Sequence, residues 1–161
     1  MQCFAEQSIA GVQGDTMSAD ASDRPAHANK KILVVDDDAD LRLALHVRLS
    51  ANNYDVVVAR DGVEAIAETR KHVPDLIILD LGLPAGDGFT VMERLKANIA
   101  TSLIPVIVLS ARDRVSTKDR CLNAGARAFL QKPIDDAHLV SVIRQTLHRS
   151  TIPHQVVYDL G

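Results

Sequence analysis

The chain has 161 residues, 47% hydrophobic and 24% charged, which suits one globular domain and excludes a wholly disordered chain. Its 18 Lys+Arg against 21 Asp+Glu give a formal charge of −3, with aromatics at only 3%, so neither nucleic-acid coating nor base stacking fits. No apolar run approaches the roughly 18–20 residues of a membrane span, Glu6 and Gln7 interrupt any signal-peptide stretch, and Cys3 and Cys121 lack metal spacing, so a reduced, cytoplasmic chain is expected.

Residues 1–29 have no sustained period and are expected to form a disordered tail of charge −3, with Met17 inside it as an alternative start. Residues 30–149 carry 17 basic and 16 acidic residues and alternate short apolar runs with helical stripes. The first strand, Ile32–Val35, leads into Asp36, Asp37 and Asp38 and then the stripe Leu41, Leu45 and Leu49. Val56–Ala59 turns through Arg60-Asp61-Gly62 into Val63, Ile66 and Val73. Leu76–Leu79 is followed by Asp80, a loop from Pro84 to Gly88, and the stripe Phe89, Met92, Leu95 and Ile99. Ile104–Leu109 precedes Ser110, with Val115 and Leu122 after it. Ala128–Leu130 leads to Gln131, Lys132 and Pro133, then to Leu139, Val142, Ile143 and Thr146. Five β–α pairs in alternation predict an α/β fold, a doubly wound parallel sheet with helices on both faces. Residues 150–161 read as a C-terminal tail or the start of a linker.

In such a sheet, ligands bind beyond the carboxyl ends of the strands. Four of the five ends carry polar groups: Asp36, Asp37 and Asp38; Asp80; Ser110; and Lys132. Each alone has an ordinary explanation. Asp38 fits a helix N-cap, Ser110 could cap the next helix, and a lone lysine is commonly a solvated one. Their joint placement argues otherwise. Several carboxylates held together need a cation to stay ionised, and hard oxygen ligands favour Mg²⁺. A nearby lysine and hydroxyl then suit a phosphoryl group, with Asp80 as a carboxylate nucleophile.

The segments Ile32 to Asp38, Asp75 to Pro84 with Asp87-Gly88, Val106 to Ala111, and Ala124-Gly125-Ala126 through Phe129 to Lys132-Pro133 resemble the receiver domain of two-component response regulators, of the chemotaxis-regulator type. The resemblance covers roughly 30–149. It implies a flavodoxin-like (βα)5 fold with strand order 2-1-3-4-5. By position, Asp80 is the expected phosphoacceptor, Asp37 a direct Mg²⁺ ligand, Asp36 a ligand largely through water, and Gly82 a ligand through its carbonyl. Lys132 is expected to contact a phosphoryl oxygen and to precede a cis peptide bond. Ser110 and Phe129 are the expected switch pair, moving a face made of the fourth helix, fifth strand and fifth helix. Gly82 has no side chain to hold an attacking water and Arg112 could cover the acyl phosphate, so slow loss of the phosphoryl group is expected.

The implied partners are a histidine kinase or histidine phosphotransfer protein and a downstream protein target, with no direct nucleic acid and no membrane. A phosphorylation-dependent dimer is also compatible. The chain is expected to be a signalling receiver and no enzyme beyond its own phosphotransfer and autodephosphorylation. A haloacid-dehalogenase-like phosphatase would need an acid where Gly82 stands. A phosphate-binding glycine loop is replaced by Asp36-Asp37-Asp38, and the scattered His27, His46, His72, His138, His148 and His154 do not suggest a zinc site. Two versions of the output remain: a stand-alone receiver, or the receiver part of a longer regulator, with Val156-Val157-Tyr158 beginning a further domain. The basic group Arg112, Arg114, Lys118, Arg120 and Arg127 near the output face reads either as a solvated surface or as a dock for an acidic partner.

Overall fold

The computed structural model describes residues 28–84, 88–111 and 114–151. The expected tail over 1–27, Arg112 and the segment from Ile152 onward lie outside the described residues, and the side chain of Arg114 does so too. Within them, ten elements alternate: β1 (Lys31–Val35), α1 (Ala39–Ala51), β2 (Asp55–Ala59), α2 (Gly62–His72), β3 (Leu76–Asp80), α3 (Gly88–Ala97), β4 (Val106–Ser110), α4 (Arg114–Asn123), β5 (Ala128–Gln131) and α5 (Asp136–Thr151).

All strand pairings are parallel and the sheet order is β2-β1-β3-β4-β5, as the resemblance implies. The central strands read as continuous apolar runs because both faces of the sheet are covered. Alternate residues of β1 show the division. Ile32 and Val34 enter a core with Leu45 and Leu49 of α1 and Leu139 and Ile143 of α5. Leu33 and Val35 enter the opposite core with Ala65 of α2, Met92 and Leu95 of α3 and Cys121 of α4.

Four stripe residues depart from their expected burial. Val63 on α2 is exposed, and that helix buries Gly62, Ala65 and Thr69 instead. Val73 lies past the helix, where it forms the left-handed C-cap at φ 44° just before Pro74. Ile99 lies beyond the end of α3 at 93% exposure. Leu122 on α4 is exposed while its neighbour Cys121 faces the core. The fourth strand also starts later than Ile104, after Pro105, whose missing N–H suits the residue before a ladder.

Helix caps aim the strand ends. The Asp38 carboxylate accepts from the N–H groups of Asp40 and Leu41, so Asp38 caps α1 as expected. Asp61 caps α2 by accepting from the Glu64 N–H. At β3, Gly88 comes so close that an added Cβ would lie 2.7 Å from the Asp80 carbonyl oxygen and 2.9 Å from Leu81 Cα. Only glycine permits that approach of α3 to the strand end.

Candidate functional site

Asp36 follows β1 directly, Asp80 ends β3, Ser110 ends β4 and Lys132 follows β5. The strand ends are tied together by main-chain bonds: Leu81 N–H donates to the Leu109 carbonyl at 3.3 Å and Lys132 N–H to the Ser110 carbonyl at 2.9 Å. One carboxylate oxygen each from Asp36, Asp37 and Asp80 lies within 4.8 Å of the others. Asp36 is 1% exposed and Asp80 7% exposed, while Asp37 is open to solvent.

Lys132 completes the cluster from two strands away. Its ammonium donates to Asp36 Oδ2 at 2.6 Å and lies 3.4 Å from Asp80 Oδ2. Burial alone would lower the pKa of this lysine, but the bond and charge of Asp36, and then those of Asp80, raise it above its ordinary value. It is therefore a cation throughout the neutral range. The second oxygen of Asp36 accepts from the Asp38 N–H at 2.9 Å, and Asp80 Oδ1 accepts from the Gly82 N–H at 3.1 Å.

The chemistry of this donor set fits a small hard cation. Both Asp36 oxygens already accept hydrogen bonds, and those of Asp80 face the Gly82 N–H and the Lys132 ammonium, so the solvent-open Asp37 has the more available lone pairs. One or two carboxylates completed by waters is the arrangement Mg²⁺ ordinarily takes. Gly82 sits beside them, where an added Cβ would be 3.3 Å from Asp80 Oδ2; any side chain there would crowd the carboxylate. Ser110 is fully buried at the end of β4. Phe129, one strand further, is half-buried against the core on the α2–α4 side. The Lys132–Pro133 bond is cis.

Sequence reasoning brought together Asp36, Asp37, Asp80, Ser110 and Lys132, and the fold gathers these residues at one end of the sheet. It missed the direct pairing of Lys132 with Asp36, having directed the lysine only toward a ligand. It also passed over Arg42, whose Nη1 donates to the Asp36 carbonyl oxygen at 2.7 Å. An arginine after an N-cap reads in sequence as a solvated helix residue, and nothing in the spacing says that it turns back.

The model of the response regulator receiver domain family matches residues 32–144. The chain belongs to that family. The receiver is 44% identical over 115 residues to the response regulator PleD of Caulobacter vibrioides, covering 71% of this chain and 25% of that protein. It is 38% identical over 120 residues to the DNA-binding dual master transcriptional regulator RpaA of Synechocystis, covering 74% and 50%. Among solved structures, the receiver domain of a Francisella response regulator superposes with a TM-score of 0.71 at 30% identity, covering 76% of this chain and 99% of that one. Chemotaxis protein CheY4 of Vibrio cholerae gives 0.70 at 28% identity, covering 74% and 99%. The chain thus spans a quarter to a half of the length of these two curated relatives and nearly the whole of the solved receiver domains. No helix among the described residues is long and apolar enough to cross a membrane.

Proposed function

We propose that Asp80 is the phosphoacceptor of this two-component receiver, and that Asp36, Asp37 and the Gly82 carbonyl would hold Mg²⁺ with it. The observation that carries the reading is the convergence of three carboxylates within 4.8 Å, with the Lys132 ammonium 3.4 Å from Asp80. A carboxylate oxygen of Asp80 attacks the phosphorus of a phosphohistidine in line. The O–P bond forms as the P–N bond breaks, and the electron pair returns to the donor imidazole. When bound, Mg²⁺ neutralises charge on the phosphoryl oxygens. Lys132 keeps its proton and offers the ammonium to a phosphoryl oxygen, trading part of its contact with Asp36 and Asp80. Asp36 stays buried and bonded to the Asp38 N–H, which holds its carboxylate in place during the exchange.

Ser110 and Phe129 are the proposed switch. Ser110 turns its hydroxyl toward the new phosphoryl group, and Phe129 follows into the space released. The equilibrium shifts on the face of α4, β5 and α5, which docks the downstream protein. The donor is a histidine kinase or histidine phosphotransfer protein, the reaction is cytoplasmic, and the domain's own chemistry is limited to phosphotransfer and its reversal by hydrolysis. A second reading, the receiver part of a longer regulator, is favoured by the relatives: this chain matches only 25% of PleD and 50% of RpaA, which is named as DNA-binding.

The test is incubation with acetyl phosphate or beryllofluoride and Mg²⁺. Wild type is expected to gain one phosphoryl group from acetyl phosphate, or to bind one beryllofluoride, only when no chelator is added first, and Asp80→Asn to gain neither. Modification that persists in Asp80→Asn, or that ignores Mg²⁺, overturns the assignment.

A further inference from the structure

Arg42 stands on α1, six residues after Asp36, yet its guanidinium turns back to the end of β1 and donates to the Asp36 carbonyl oxygen at 2.7 Å. The side chain is half-buried and lines a shallow cleft with Ala39, Leu43, His46 and Val58. The oxygen it holds belongs to the peptide that joins Asp36 to Asp37. That peptide is planar, so fixing its oxygen fixes the position of the Asp37 Cα, from which the carboxylate extends. The groups on either side are already anchored. Asp36 N–H donates to the Ala59 carbonyl at 3.1 Å, and Asp38 N–H to Asp36 Oδ1 at 2.9 Å. Arg42 supplies the bond between these two anchors.

We propose that Arg42 is a positioning residue for the cation half of the site: by holding the Asp36–Asp37 peptide, it aims the exposed Asp37 carboxylate at the ion that Asp37 shares with Asp36 and Asp80. The inference rests on the reading of that cluster as a Mg²⁺ site. Two effects of Arg42 oppose each other. Its charge repels a divalent cation, so that removing it would tighten binding. Its hydrogen bond orders a ligand, and partners that orient metal ligands typically contribute about 10–100-fold to affinity. The guanidinium is bonded to a neutral carbonyl on a turn whose Asp37 side is open to water, where screening weakens the repulsion. The ordering effect therefore dominates.

The test is a calorimetric titration of Mg²⁺ into the full chain without phosphodonor, for wild type, Arg42→Met, Arg42→Lys and Asp37→Asn. Arg42→Met keeps the stem without a donor and is expected to weaken Mg²⁺ binding about 10-fold. Arg42→Lys retains an N–H donor and recovers most of the loss. With acetyl phosphate, the Mg²⁺ concentration for half-maximal phosphorylation rises by the same factor in Arg42→Met, while the rate at saturating Mg²⁺ stays within about twofold of wild type. A merely structural residue would not produce that split. Unchanged or tighter binding in Arg42→Met overturns the proposal. If Arg42→Met does not fold, Arg42→Gln, polar but too short to reach the carbonyl, is read in the same way. If wild type binds Mg²⁺ no better than Asp37→Asn, the metal reading itself fails and takes this inference with it, a result distinguishable because no Arg42 variant is needed to see it.

Discussion

The two ends of the sheet treat charge in opposite ways. At the amino ends of the strands, Asp75 and Lys96 each bond to the main chain. Asp75 accepts from the Lys31 N–H at 2.8 Å and pairs with Lys30 at 3.5 Å. Lys96 donates to the Ser102 carbonyl at 3.0 Å, and its stem fills the place where a Gly125 side chain would stand, although burial and then the charge of Arg127 lower its pKa. At the carboxyl ends, three carboxylates crowd together, two of them buried and paired with one lysine. The Asp75 contacts are what stability alone would select. The carboxylate cluster is costly without a bound cation, and such a cost is retained where chemistry requires it.

The contrast can be broken from either end. The largest effect is expected for Gly88→Ala, whose new Cβ meets the Asp80 carbonyl and Leu81 backbone below 3 Å. Neither atom can move cheaply, so unfolding in urea should show a loss of about 1–3 kcal/mol, with slower phosphorylation because the end of β3 is displaced. Next comes Asp75→Ala at the opposite end. Removing the acceptor of the Lys31 N–H should cost about 1–2 kcal/mol and leave phosphorylation with acetyl phosphate unchanged; a neutral stability effect would mean that this end is not held by charge. The smallest effect has the opposite sign. In Mg²⁺-free buffer, Asp37→Asn removes one of the mutually repelling carboxylates and should raise stability by about 0.5 kcal/mol or less. Added Mg²⁺ should then raise the melting temperature of wild type and leave that of Asp37→Asn nearly fixed. A destabilised Asp37→Asn would remove the contrast between the two ends.

The features legible in the sequence were those written in short-range pattern. All five strands were recognisable as short apolar runs, and burial on both faces leaves the central ones unbroken, as in Leu76–Leu79. The strand-end positions of Asp36, Asp80, Ser110 and Lys132 followed from topology. Helix faces were less secure. On α4, few apolar residues define a stripe, and a one-residue error puts Leu122 inward in place of Cys121. Val73 and Ile99 matched a helical period that had already ended, because a left-handed cap and a loop continue the spacing without continuing the helix. The Lys132–Asp36 bond and the Arg42–Asp36 bond left no trace in periodicity at all. One depends on how a flexible side chain crosses two strands, the other on a side chain folding back along its own helix.

The bond from Lys132 to Asp36 joins residues 96 positions apart in the chain. It spans almost the whole distance from the first strand to the last, and β3 and β4 stand between those strands in the sheet. Such a contact forms only when the intervening strands have taken their places, since it joins groups far apart in the chain across two strands of the sheet. A chain still being synthesised, or one whose fifth strand has come loose, has the acids but not the lysine. The full set of charged groups at the carboxyl ends of the strands is therefore assembled only when the last strand has docked.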